Sequence, residues 1–170
     1  MSGPTYGRLM ATPARPDAAP SARVPAVARS VLVVGTDDWA VEQTAAQLAE
    51  AGHEVLTCHP PGQPAFPCNA LVEGRTCPLD VGFAVAVTVR ARPVDTPDPG
   101  EMGVICAIRA GAPLVIAGMG GRNPFQPWAD RSVGPDDSLP TVVAEVAARH
   151  VVVPAGAIEA DVRDSQSVQG

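Results

Sequence analysis

"SVLVVGTDDWAVEQTAAQLAEAGHEVLTC", residues 30–58, decides how the rest of the chain is read. Its opening "SVLVVG" (30–35) is an aliphatic, β-branched run with no polar alternation. A strand covered on both faces needs that pattern, so it is expected to be the central strand of a sheet. Asp37 or Asp38 can then cap a helix. Val41, Ala45, Leu48 and Ala49 recur at helical spacing, and Gly52 supplies a stop. "HEVLTC" (53–58) reads as the next strand.

The same alternation continues along the chain. "GFAVAVTV" (82–89), "APLVIAG" (112–118) and "HVVVPA" (150–155) read as the third, fourth and fifth strands. In "DPGEMGVICAIRAG" (98–111), Asp98 is the expected cap, Pro99 the first helical residue, Glu101 the partner three residues on, and Gly111 the stop. "DDSLPTVVAEVAARH" (136–150) predicts a further helix that turns Leu139, Val142, Val143 and Val146 inward, with Arg149 at its negative end. Strands alternating with helices imply a parallel sheet. The fold expected is an α/β three-layer sandwich with a five-stranded parallel sheet in flavodoxin-like order 2-1-3-4-5.

The chain has 170 residues, 46% of them apolar, enough for one core and thin for two. Residues 1–29 hold five Pro, seven Ala and four Arg without hydrophobic periodicity and read as a disordered, mildly basic leader. Residues 30–160 form the expected domain, and 161–170 a flexible tail. No stretch has the apolar run of a signal peptide or the roughly 18 residues that span a membrane, so a cytoplasmic protein is expected. Beyond the leader, eight Arg face 17 Asp and Glu, and the chain has no Lys. That acidic body repels nucleic-acid phosphates; the partner expected is a small ligand or another protein.

The stretch from "VLVVG" to "AGHEVLTC" resembles the opening of response-regulator receiver domains, where a hydrophobic strand runs through an acidic cluster and a helix into an "AGHEV" strand. The resemblance implies a receiver-like fold. It does not bring the chemistry. Gly35 and Thr36 stand where the metal-holding carboxylates belong, with Asp37 and Asp38 displaced into the loop. Thr88 falls at the phosphoacceptor's place, Ala117 and Gly118 end the fourth strand, and no lysine exists to follow the fifth. Aspartyl phosphorylation would therefore be lost. Dinucleotide binding fits no better, because "GTDDWA" lacks the glycines a pyrophosphate needs at that turn.

"CHPPGQPAFPCNALVEGRTCP" (58–78) is the stretch that carries chemistry. Pro60, Pro61, Pro64 and Pro67 exclude a helix, and a short turn at 68–73 is the most the segment allows. Phe66, Leu71 and Leu79 are expected to anchor it modestly. Within the Cys-rich loop 58–80, Cys58, His59, Cys68 and Cys77 form a set that suits tetrahedral zinc. Cys106 in place of His59 would make a Cys₄ set suited to an iron–sulfur cluster. A disulfide or purely structural cysteines are the competing readings, and for Cys106 the bland one is a small buried hydrophobe. The rival function is a thiol-dependent redox protein or enzyme using Cys58 with His59 as base.

At the carboxyl edge of the sheet, where open α/β folds take ligands, the turn "GMGGRNPF" offers Gly118, Gly120, Gly121 and Arg122, with Trp39, Phe125 and Trp128 as cover. The function expected is a non-enzymatic regulatory or ligand-binding domain.

Overall fold

The computed structural model describes residues 30–150 apart from 61, 67, 73, 94 and 119–121. The leader, the tail and nearly all of the expected strand 150–155 lie outside those residues. The described elements are β1 (Ser30–Gly35), α1 (Asp38–Glu50), β2 (Glu54–Thr57), α2 (Pro78–Val81), β3 (Val85–Arg90), α3 (Met102–Arg109), β4 (Leu114–Gly118), β5 (Arg131–Ser132) and α4 (Leu139–Arg149). The strands form one parallel sheet in the order β2-β1-β3-β4-β5.

β1 sits inside the sheet because both of its faces are apolar. Val31 and Val33 join a cluster with Ala40 and Leu48 of α1 and Leu139, Val142, Val143 and Val146 of α4. Leu32 and Val34 point the other way and pack with Val104 and Ala107 of α3, Phe83 and Phe125. This period-2 alternation produces three layers, α1 and α4 on one face and α3 on the other. Side chains buried as fully as Leu32, Leu48 and Leu114 contribute roughly 1.5–3 kcal/mol each.

The caps behave as local chemistry dictates. Asp37 accepts a hydrogen bond from the Ala40 amide at 2.9 Å. Asp98 and Glu101 form a capping box ahead of α3, with Pro99 at its first position. No helix of the described residues is long and apolar enough to cross a membrane.

The fifth strand differs from expectation. The segment paired with β4 is the short polar Arg131–Ser132, which precedes α4. The ladder is extended by the Asp130 amide donating to Leu114 O and the Val133 amide to Ile116 O, both at 2.8 Å. Asp130 Oδ2 accepts from the Leu114 amide in return, also at 2.8 Å. An edge strand this short is held by backbone pairing and one carboxylate, so it carries no apolar run for a sequence pattern to detect.

Candidate functional site

Two cavities flank the start of α3. The first lies on the α3 face beside the end of β2. Cys58 follows β2, Cys68 precedes a single 3₁₀ turn (Asn69–Leu71), Cys77 is the residue before α2, and Cys106 lies in α3. All four line one pocket, with His59 beside them. All four are free thiols. α3 reaches Cys58 closely because Gly103 has no side chain: a Cβ there would lie 2.5 Å from Cys58 Sγ.

The surroundings are poor for thiolate. Burial, and then the neighbouring Cys77, Cys68 and Cys106, push the Cys58 thiol up to about 12. Cys106 is also raised, by burial first and then by Cys68 and Cys77, against a lowering by Arg109. Cys58 is therefore a protonated thiol at neutral pH. The nucleophile that the Cys58–His59 enzyme reading needs is not formed there.

The chain around the pocket is held lightly. Leu79 packs against the α3-side core, whereas Phe66 and Leu71 are 76% and 74% exposed. The anchoring expected from those two residues is corrected, since both side chains stand largely in solvent. The expected turn at 68–73 is a 3₁₀ turn, closed by the Leu71 amide on Cys68 O at 2.8 Å. Among the described residues, no three His, Cys, Asp or Glu side chains are set to hold a metal ion.

The second cavity, of about 470 Å³, opens at the carboxyl ends of β1 and β3. β2 pairs with one side of β1 and β3 with the other, so the connections leaving these strand ends diverge and open a crevice. Thr36 and Asp37 form one wall; Arg90, Arg92, Thr96 and Asp98 form the other. Arg90 is 4% exposed and Glu101 fully buried. Arg90 Nε donates to Glu101 Oε1 at 2.6 Å, and its Nη2 donates to Glu101 Oε2 and, at 3.0 Å, to Thr96 O. Glu101 Oε2 also accepts from the Asp98 amide at 3.0 Å. One buried ion pair thus ties the end of β3 to the whole 96–101 segment.

Of the residues expected at the glycine turn, Gly118 and Arg122 are described and line one small cavity, away from Trp39. Gly118 has φ +99°, and a Cβ there would lie 2.3 Å from Arg90 O. Only glycine lets β4 pass the end of β3 so closely. Gly118 and Arg122 border a smaller cavity of about 70 Å³, shared with Arg90 and Arg92. Arg122 pairs with Asp95 at 3.1 Å in the open, a contact worth little. Gly120 and Gly121 lie outside the described residues. Trp39 and Trp128 are 69% and 57% exposed, while Phe125 belongs to the core. The aromatic cover expected over residues 118–131 is therefore corrected. The polar crevice instead uses the 90–98 segment, which sequence reasoning passed over. Its one legible signal was a charged residue, Arg90, ending an otherwise apolar strand.

A hypothetical protein of solved structure is 16% identical to the chain, with a TM-score of 0.40, over 71% of this chain and 58% of its own length. The sugar isomerase domain of an RpiR transcription factor from Sphaerobacter thermophilus is also 16% identical, with a TM-score of 0.41, over 84% of this chain and 82% of that domain. No family model and no curated protein matches.

These findings overturn the receiver resemblance: no receiver model matches, and the two solved structures are not described as receivers. The strand–helix–strand opening belongs to α/β sheets at large. At the place of a phosphoacceptor, Thr88 is fully buried with no hydrogen-bond partner for its hydroxyl.

Proposed function

We propose that the chain is a non-enzymatic ligand-binding domain of regulatory type that takes a small polar molecule in the crevice between the ends of β1 and β3. The observation that carries this reading is the buried Arg90–Glu101 pair, which ties the crevice wall together from within. Asp37 and Asp98 offer carboxylate oxygens, each group already using one oxygen to accept a backbone amide. Arg92 offers a guanidinium, and Thr36 and Thr96 offer hydroxyls. This mixture suits a ligand with both donors and acceptors and disfavours a polyanion.

A thermal-shift screen against neutral and zwitterionic metabolites tests the proposal. A ligand at about 100 times its Kd adds about 2.7 kcal/mol, a rise in Tm on the order of 10 °C for a domain of this size. Asp37→Asn keeps a competent helix cap and Arg92→Gln alters an exposed side chain, so both variants should fold and lose the shift. A screen without any stabilising compound, or equal shifts in both variants, overturns the reading.

A further inference from the structure

We propose that Cys58, Cys68, Cys77 and Cys106 together bind an iron–sulfur cluster, in preference to a single zinc ion held with His59. The chain's four cysteines arrive from the end of β2, an irregular loop, the residue before α2 and the middle of α3. They are separated by up to 48 positions in sequence and line one pocket. Chance burial of small apolar side chains does not require that meeting.

The kind of metal follows from the geometry. A single tetrahedral ion with sulfur at about 2.3 Å needs its thiolates within roughly 4 Å of one another. Among the described residues no three His, Cys, Asp or Glu side chains stand ready to hold a metal ion, so the thiols must draw together on binding. A cluster is several atoms across and takes its thiolates at its corners, so it accepts a wider ring of four sulfurs. Apart from His59, the rest of the wall, including Leu32, Ala65, Leu79 and Met102, is apolar. Soft thiolates in a low-dielectric shell favour iron–sulfur over hard cations.

Cys106 is the fourth ligand because α3 presents Met102, Gly103 and Cys106 to this pocket on one face, with Gly103 set directly against Cys58. Assembly balances as ligand exchange. Two ferrous ions, two ferric ions and four sulfides enter from outside the chain, each thiol releases its proton to water, and each cysteine sulfur bonds one iron, with no net change of oxidation state. The cluster would also supply the fastening that Phe66 and Leu71, exposed as they are, do not.

The test is anaerobic purification of the full chain, followed by reconstitution with equal amounts of ferrous and ferric iron and with sulfide. The expected product is brown, with iron and acid-labile sulfide in equal amounts and with residues 58–81 protected from protease. Cys68→Ser, in the exposed loop, and Cys106→Ser should each lose at least ten-fold in bound iron while keeping the far-ultraviolet dichroism of the parent, and His59→Ala should keep its iron. Stoichiometric zinc displaced by His59→Ala, a colourless protein after reconstitution, or full iron retention in Cys106→Ser would each overturn the proposal.

Discussion

The two cavities share one short stretch of chain as their common wall: Thr96 and Asp98 face the polar crevice, and Pro99, Gly100, Met102 and Gly103 with Cys106 face the thiol pocket. They are assembled in opposite ways. The crevice is made from the ends of two central strands and tied by a buried ion pair, whose carboxylate also caps the following helix. The thiol pocket is half built by a segment whose regular structure amounts to one 3₁₀ turn and one four-residue helix. Internal electrostatics set the first cavity in advance. In the second, four thiols from separate stretches of chain line one pocket, with Cys68 exposed and the other three partly buried. A preformed polar site fits reversible binding of a small molecule; converging soft donors on a lightly held loop fit a bound group that completes the fold.

The contrast breaks most sharply at Glu101. Glu101→Ala leaves the Arg90 guanidinium buried without its counter-charge and should lower the unfolding free energy by about 3–5 kcal/mol, read from the denaturant midpoint at constant slope. The paired replacement Arg90→Met with Glu101→Leu should recover most of that loss. If Glu101→Ala costs under about 1 kcal/mol, the crevice is not held by this pair.

The thiol pocket should answer to alkali. The folded pKa of Cys58, about 12, lies above its ordinary value of 9.0. Its contribution to the metal-free protein is therefore complete below pH 9 and lost as pH rises through 12. Between pH 8 and 10.5 the unfolding free energy should fall by about 1–2 kcal/mol. The chain has no Lys and one Tyr, and Cys106 is raised in the same sense, so Cys58→Ala should reduce the slope without abolishing it. Stability that is flat, or that rises with pH, would place Cys58 in contact with solvent.

The smallest effect is expected on the loop's outer surface. Phe66→Ser and Leu71→Ser remove side chains that stand largely in solvent, and each should change stability by no more than about 0.5 kcal/mol. A loss of 2 kcal/mol or more would mean that the loop packs against the sheet after all.

Much of the body was legible in the sequence because local and global signals agree there. The apolar run 30–35 marks the centre of the sheet, Asp37 and the Asp98–Glu101 box mark helix starts, and Leu139, Val142, Val143 and Val146 mark an inward face. The fifth strand escaped because two polar residues at an edge have no period. The crevice escaped because Arg90 and Glu101, eleven positions apart, become partners only when β3 and the turn before α3 come together.

The sequence by itself determined the class of fold, the covered central strand and a proline-rich, cysteine-bearing break between the second and third strands, since propensity, period and ring constraints act over a few residues. Only the tertiary structure decided that Cys106 joins Cys58, Cys68 and Cys77, that Phe66 and Leu71 face water, and that the wall of the polar cavity opposite Thr36 and Asp37 comes from the stretch between Arg90 and Asp98 rather than from 118–131. Those outcomes depend on which face of α3 meets the sheet and how closely Gly103 and Gly118 let backbones approach. Such distances between remote stretches of chain are set by packing, which no local pattern encodes.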